Sequence, residues 1–448
     1  MKRIVICGAG EIGRYASEVL ANEGYDICVV DISNAKLQAI EENVDITSIV
    51  GSCCLPDTIL KARVDTCDTL IAATDSDEVN LLTAAIAKRK GAKKVIARIH
   101  DKDFLHADKF CFIQGFGIDH LICPEKLTSE GIVANLADPA VLEVETFDRH
   151  SLEMHRYRVP EDSPSIGIML SEMDLPHGVR LAVVSRQGSG AFIPEAKTML
   201  VAGDIVTIIS SKGQFQATQR LFSQSKSQAR KDIAILGSTP LTEWLIADLS
   251  RLGFEIRIFE PDRDKALLFS EENPRYTVLS ANPTDPAQFR AEQLERCDAF
   301  ISATDDDEHN ILSALQAKKL GVEIAATVVH APTFLNLLEN IGIDLPFSPR
   351  IVAARELLKI VDDSQVKCIA TLAPNIAFLY EVLASTGRSL NIPLKNLKMP
   401  KGTFIAAITR NKEKIIPSPD DEILKDDTLV LVGPPNLGKR LKKMFVKS

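Results

Sequence analysis

The sequence is poor in aromatic side chains: Phe, Trp and Tyr make up 5% of 448 residues, with a single tryptophan, Trp244. Stacking platforms for single-stranded nucleic acid or sugars would have to be built from very little. An excess of positive charge is missing as well, since 52 Lys and Arg face 61 Asp and Glu for a net charge of −9. Phosphate backbones repel such a chain, which argues against nucleic acid as a partner. No uninterrupted apolar stretch approaches the ~20 residues that cross a bilayer, and the apolar run after Met1-Lys2-Arg3 is too short for a signal peptide. Direct membrane insertion is therefore not expected. There is no C-x-x-C pair, no zinc-ligand spacing and no G-x-x-x-x-G-K-[ST] loop. The nine cysteines lie mostly in apolar runs such as Ile4-Val5-Ile6-Cys7 and read as buried, reduced thiols of a cytosolic protein. A redox role for the adjacent Cys53-Cys54 pair is the weaker alternative.

What is present is an ordinary globular composition, 45% apolar and 25% charged, and a length that predicts three or four domains. Self-comparison decides how they are arranged. The run from Cys67 through Leu70-Ile71-Ala72-Ala73-Thr74-Asp75-Ser76-Asp77-Glu78 to Asn80 recurs from Cys297 to Asn310. Its flanks agree too, with Gly8 matching Gly237, Gly24 matching Gly253, Asp31 matching Glu260 and His100 matching His330. A smaller, strand-rich element also repeats, from Leu175-Pro176-His177-Gly178 to Val206 and from Met399-Pro400-Lys401-Gly402 to Val430. The expected order is A–B–A′–B′: lobes at 1–138 and 230–362, small domains at 139–225 and 363–448, and a polar linker from Ser223 to Lys231.

Unit A reads as strand, glycine loop, helix, strand, acid. Ile4 to Cys7 runs into Gly8-Ala9-Gly10-Glu11-Ile12-Gly13, a helix closes at Gly24, and the strand Ile27 to Val30 ends in Asp31. The acid lies close to the expected ~20 residues beyond the last glycine, so the whole is a dinucleotide-binding fingerprint on a doubly wound α/β sheet. Gly8 permits the tight turn, Gly10 lets backbone N–H groups approach a pyrophosphate, and Gly13 lets helix and strand pack closely; the helix N-terminus adds positive dipole charge. Asp31 suits the adenosine ribose hydroxyls and repels a 2′-phosphate, favouring NAD(H), or ATP and ADP, over NADP(H). Thr74 and Asp75 follow the next strand at its carboxyl end, where ligand contact and helix capping are both open readings. Arg98, inside the strand Val95 to Ile99, reads either as a salt-bridge partner or as a phosphate contact.

The second copy departs from this pattern. Its loop is Gly237-Ser238-Thr239-Pro240-Leu241-Thr242, so two glycines have become threonine while Glu260 keeps the acidic position. The second site is expected to be lost or altered. No catalytic constellation is visible: the eight histidines, at 100, 106, 120, 150, 155, 177, 309 and 330, fall in no recognisable spacing, and His100 and His330 read as structural residues at strand ends. An NAD-dependent oxidoreductase remains the competing class, because the fold alone does not decide function.

The order A–B–A′–B′, the run Ile4 to Arg14 with Asp31, the run Ala73 to Asn80, and Pro124-Glu125-Lys126 resemble the TrkA family, the regulatory subunits of bacterial potassium uptake built from tandem RCK domains. The resemblance covers nearly the whole chain. It implies two Rossmann-like doubly wound parallel-sheet lobes alternating with two small α+β domains, in a cytoplasmic protein peripheral to the inner face of the plasma membrane. It further implies a non-enzymatic role: binding NAD(H) or adenine nucleotides, self-association into dimers or tetramers, and adjustment of a membrane potassium-translocating subunit. Regulation of another cation channel is the related alternative. Gly8, Gly10, Gly13 and Asp31 match the family's loop and acid, and Gly51-Ser52-Cys53 lies where the family has a turn near the adenine, with Cys53 departing from its pattern. Glu125 matches an acid that in related Ktr-type subunits lies near a nucleotide or cation at the lobe interface; the second copy has Arg350 there.

Overall fold

The computed structural model describes residues 2–105, 111–136, 141–147, 152–176, 178–186, 189–211, 214, 221–222, 232–362, 365–373, 376–411, 413–435 and 437–446. The stretch Ser223 to Lys231, read above as a linker, and His106, His150 and His177 lie outside them.

The chain begins with β1 (Arg3–Cys7), α1 (Glu11–Asn22), β2 (Asp26–Asp31), α2 (Asn34–Glu41), β3 (Thr47–Val50), α3 (Pro56–Lys61), β4 (Thr69–Ala72), α4 (Asp77–Lys90), β5 (Lys94–Arg98), α5 (Lys102–Leu105), α6 (Phe112–Phe116), β6 (His120–Ile122) and α7 (Pro124–Leu136). Its six strands are all parallel, in the order β3-β2-β1-β4-β5-β6. That is the doubly wound order, with its switch point between β1 and β4. An antiparallel sheet follows, from β7 (Val141–Phe147), β8 (Leu152–Arg158), β9 (Val179–Arg186), β10 (Gly190–Phe192) and β11 (Ile205–Ser211).

The second lobe contains β12 (Asp232–Leu236), α8 (Pro240–Arg251), β13 (Glu255–Phe259), α9 (Arg263–Glu272), β14 (Thr277–Leu279), α10 (Pro286–Ala291), β15 (Ala299–Ser302), α11 (Asp307–Leu320), β16 (Ile324–Val328), α12 (Leu335–Asn340), β17 (Leu345–Phe347) and α13 (Pro349–Val361). Its sheet order, β14-β13-β12-β15-β16-β17, repeats the first. A second antiparallel sheet closes the chain, from β18 (Val366–Ala373), β19 (Ala377–Leu383), β20 (Phe404–Arg410), β21 (Glu413–Ile415) and β22 (Thr428–Gly433). Two parallel α/β lobes thus alternate with two smaller antiparallel sheets. Among the described residues no helix is long and apolar enough to cross a membrane.

These elements form two compact units, residues 1–133 with 230–361 and residues 134–229 with 362–448. In the first, β1 is covered on both faces, which is why it reads as an unbroken apolar run. Val5 and Cys7 face a core with Val30, Leu70, Ala72 and Val95, while Ile4 and Ile6 face the other side. That other side is completed from the second lobe: Ala353, Leu357, Ile360 and Val361 of α13 join Ala16 and Leu20 of α1 in one cluster. Each fully buried Leu or Ile there contributes roughly 1.5–3 kcal/mol, so this helix belongs to the first lobe's core as much as to its own. In exchange α7 meets α8, where Lys126 lies over the Trp244 ring at 5.8 Å and Ser129 Oγ donates to Asp248 at 3.1 Å.

In the second unit the sheet orders β10-β9-β11-β8-β7 and β21-β20-β22-β19-β18 correspond strand for strand. Each sheet carries a bidentate pair between an arginine and a buried aspartate. Arg186 reaches Asp204 at 2.8 and 2.7 Å, and Arg410 reaches Asp427 at 2.9 and 2.8 Å. Leu152, Ala182, Ile209, Leu379, Ala407 and Val430 share one apolar cluster, so the two small sheets pack a common core.

Candidate nucleotide-binding site

The glycine loop leaves β1 at the switch point and enters α1. Gly8 has φ +110°, and a Cβ there would lie 2.6 Å from the Ala73 carbonyl oxygen, so only glycine fits this turn. A Cβ on Gly13 would lie 1.9 Å from Gly8 O, and the close packing of α1 on β1 depends on its absence. Gly10 is the N-cap and offers no side chain to the first-turn N–H groups of α1, which are left for an anion. α1 ends at Asn22 and Gly24 follows the C-cap Glu23 at φ +85°, where the left-handed turn requires glycine.

Asp31 stands at the end of β2 and closes over the loop. It accepts hydrogen bonds from Ala9 N at 2.6 Å and Ser33 N at 2.7 Å. These fix both oxygens at the rim and leave each with a lone pair for a hydroxyl. Gly51 N donates to Asp31 O at 2.9 Å, bringing the Gly51-Ser52-Cys53 turn alongside. Ser52 Oγ accepts from Cys54 N at 3.3 Å within that turn. Cys53 points its sulfur into the core, where it accepts the Thr83 hydroxyl at 3.2 Å. The Cys7 thiol donates to it too, and this bond, against the opposing effect of burial, brings Cys53 down to about 6 while Cys7 is pushed well up. Two apolar residues that the sequence reading did not single out complete this side. Ile32 is 76% exposed directly after Asp31, and Val50, its neighbour in register opposite Asp31, is 55% exposed. An apolar residue immediately after the acid is the signal that would have found Ile32.

Across the switch point, Ser76 caps α4 by accepting from Val79 N. Thr74 makes a different bond: its N and Oγ1 both donate to Asn80 Oδ1 at 2.8 Å. Asn80 Nδ2 donates in turn to Thr74 O and Arg98 O, each at 3.0 Å. This fully buried amide therefore ties the ends of β4 and β5 together, a role that its recurrence as Asn310 signalled. Arg98 lies largely buried between Glu125 at 3.4 Å and Asp75 at 3.7 Å, and the exposed Asp75 is within 3.4 Å of where a Cβ on Gly10 would sit. Glu11, at the first position of α1, is mostly exposed and paired with Arg350 of α13. His100 is held at the end of β5 by Asp77, which takes its Nδ1 at 2.8 Å and its backbone N at 2.9 Å. Asp307 and His330 repeat the pair at 3.0 Å. Burial raises the Asp77 carboxyl, but the bonds from His100 and the Asp101 amide outweigh it and hold the group below its ordinary range.

In the second lobe Gly237 keeps φ +107° and the same close approach, 2.7 Å from a Cβ to Ala303 O. Thr239 and Thr242 stand in place of the other two glycines, Thr242 fully buried against the loop. Thr239 Oγ1 donates to Ala303 O at 2.9 Å and Thr242 Oγ1 to Gly237 O at 2.8 Å. Beside them is a cleft of about 400 Å³, with Glu260, Asp262, Asp305 and Asp306 set against Lys265 and His309. Its balance is acidic, and the position of Arg98 is taken by Val328. Glu260 still closes its loop, accepting from Ser238 N and Asp262 N at 3.0 Å.

Two doubly wound lobes, each followed by a small antiparallel sheet and one keeping an intact glycine loop, define a tandem Rossmann-type protein of the RCK class. Sequence comparison is specific about which one. The TrkA-N domain profile matches residues 4–124 and 233–349, and the TrkA-C domain profile matches 154–223 and 379–446. The chain belongs to the TrkA family. It is 28% identical over 443 residues to the Trk system potassium uptake protein TrkA homolog of Archaeoglobus fulgidus, covering 99% of this chain and 100% of that protein. It is 29% identical over 438 residues to the Trk system potassium uptake protein TrkA of Haemophilus influenzae, covering 96% and 95%. Among solved structures, the GsuK RCK domain aligns with TM-score 0.65 at 18% identity over 99% of this chain and 94% of that one. The GsuK channel bound to NAD aligns with TM-score 0.65 at 18% identity over 99% and 78%, which establishes a shared fold.

Proposed function

We propose that this chain is a nucleotide-sensing regulatory subunit of a membrane potassium-uptake system and that its sensor is the first-lobe loop Gly8 to Gly13. One observation carries the reading: the uncapped N-terminus of a 12-residue helix opens beside a glycine loop closed by a fixed carboxylate. That arrangement suits a pyrophosphate on the helix and a ribose at Asp31, with the adenine over Ile32 and Val50. NAD(H), ADP and ATP all present these groups; a 2′-phosphate would meet the Asp31 charge. Curated relatives named as Trk potassium uptake proteins, and neighbours solved with NAD and with ADP, support the ligand class and the partner.

The second lobe we read as without a dinucleotide site, because its cleft is lined by Glu260, Asp262, Asp305 and Asp306 and Pro240 removes an N–H donor from the first turn of α8. The role we read is binding rather than turnover, in line with curated relatives named as potassium uptake proteins. Regulation then follows from linkage. A ligand that prefers one arrangement of the lobes by tenfold shifts the equilibrium by about 1.4 kcal/mol per site, and several sites in an oligomer add up.

Calorimetric titration of NADH, NAD, ADP, ATP and NADPH into wild type and Asp31→Ala tests the site. NADH and ADP are expected to bind wild type, with NADPH and the variant at least tenfold weaker. Equal binding of NADPH, or a silent Asp31→Ala, overturns the assignment. Recovery of a membrane potassium-translocating subunit with the tagged chain tests the partner.

A further inference from the structure

We propose that Arg350, supplied by the second lobe, is a phosphate-binding residue of the first-lobe loop, and that Glu11 stands in for the phosphate while the site is empty. The inference rests on the first-lobe site proposed above and deepens it. Arg350 is the second residue of α13, which packs along α1, and its guanidinium meets the Glu11 carboxylate in the first turn of α1. The arginine is 7% exposed and its Nε has no hydrogen-bond partner. Five donors have been brought out of water to meet one carboxylate that is itself 64% exposed. An exposed glutamate is a poor return for burying a guanidinium, whereas a phosphate can take two of its N–H groups at once and also face the free amides of α1.

The charge exchange between the lobes supports the same conclusion. Residues Pro124-Glu125 and Pro349-Arg350 open corresponding helices, and each of these helices crosses to the first helix of the other lobe. Arginine stands on the helix that reaches the intact glycine loop. Glutamate stands on the helix that meets α8, whose glycine loop carries threonines, and it turns to Arg98 of its own lobe at 3.4 Å. A purely structural interlobe ion pair gives no reason for the positive member to accompany the open cradle. A bound phosphate that draws Arg350 from Glu11 also gives α13 a direct readout of occupancy, because the nucleotide then bridges both lobes.

The test is calorimetric titration of the full chain with ADP, NADH and adenosine, the last lacking phosphate. Arg350→Gln is expected to weaken ADP and NADH tenfold or more and to leave adenosine unchanged, with Arg350→Lys intermediate. Glu11→Gln, which keeps the shape of the side chain and removes its charge, is expected to tighten ADP several-fold in the otherwise native chain and to lose that gain in the Arg350→Gln background. Unchanged ADP and NADH affinity in Arg350→Gln, or Glu11→Gln weakening ADP as the arginine variant does, would overturn the proposal. If Asp31→Ala abolishes binding while Arg350→Gln is silent, only this inference falls. If both are silent, the first-lobe site falls with it.

Discussion

Asn80 is buried at 0% exposure and makes four hydrogen bonds of 2.8–3.0 Å, two accepted from Thr74 and two donated to Thr74 O and Arg98 O. Asn80→Ala removes all four and leaves the Thr74 amide and two carbonyls unpaired beneath the loop. At about 1 kcal/mol net per bond, with a further penalty where a buried group stays unpaired, the loss is about 3–5 kcal/mol. Asn310 repeats the four contacts at 2.7–2.9 Å, so Asn310→Ala is expected to cost the same. The two variants diverge in binding. Asn80 also positions the backbone of Arg98 beside the glycine loop, so its loss should weaken NADH, whereas Asn310→Ala should leave NADH affinity unchanged. Urea unfolding followed by circular dichroism measures the first effect, and amide exchange at Thr74 and Thr304 assigns it to each lobe. Titration with NADH measures the second. A stability loss below about 1 kcal/mol in Asn80→Ala, or equal NADH binding in the two variants, would refute the reasoning.

Gly13→Ala places a methyl 1.9 Å from Gly8 O and forces α1 outward; it should cost about 1–3 kcal/mol and abolish NADH binding, with retained binding in titration counting against the cradle. The Asp77 and Asp307 carboxyls are held below their ordinary range, so their stabilisation is complete above the unfolded value of about 3.9 and is lost as pH falls through the lower folded values. The stability gap between wild type and Asp77→Ala, measured by urea titration, should therefore be full at pH 7 and shrink below about pH 4; a gap independent of pH would contradict the assigned cause. In the second unit, Asp204→Ala strips a bidentate partner from Arg186 and should lower stability by about 3 kcal/mol, as should Asp427→Ala with Arg410, checked by thermal unfolding. The single tryptophan, Trp244, lies under Lys126 where α7 meets α8, so ADP binding in the first lobe should change its fluorescence if occupancy alters the lobe contact.

Much of this was legible in the residues themselves because it depends on short-range geometry. A left-handed turn needs Gly8 and a close helix–strand contact needs Gly13. A strand buried on both faces needs the unbroken run from Ile4 to Cys7, and a duplicated fold leaves a duplicated spelling in Thr74 to Asn80 and Thr304 to Asn310. The order of the sheets follows from the same pattern, since parallel strands joined by helices admit few windings. Capping and ligand contact at Thr74 could not be separated from sequence, because the partner that claims its hydroxyl, Asn80, lies six residues on, inside α4 rather than at its cap.

What only the tertiary structure decided is which lobe completes which. Nothing in the spelling of Pro349-Arg350 marks it as facing Glu11, for the two are brought together by the packing of α13 on α1 across most of the chain length. Nor does a threonine in a glycine loop announce where its hydroxyl goes; Thr242 turns its hydroxyl onto the loop carbonyl of Gly237, and Thr239 onto the carbonyl of Ala303 across the switch point. Local sequence determines backbone shape and the chemistry on offer. Long-range burial determines which of those groups lose water together, and a buried guanidinium beside an open helix end is a product of that second step.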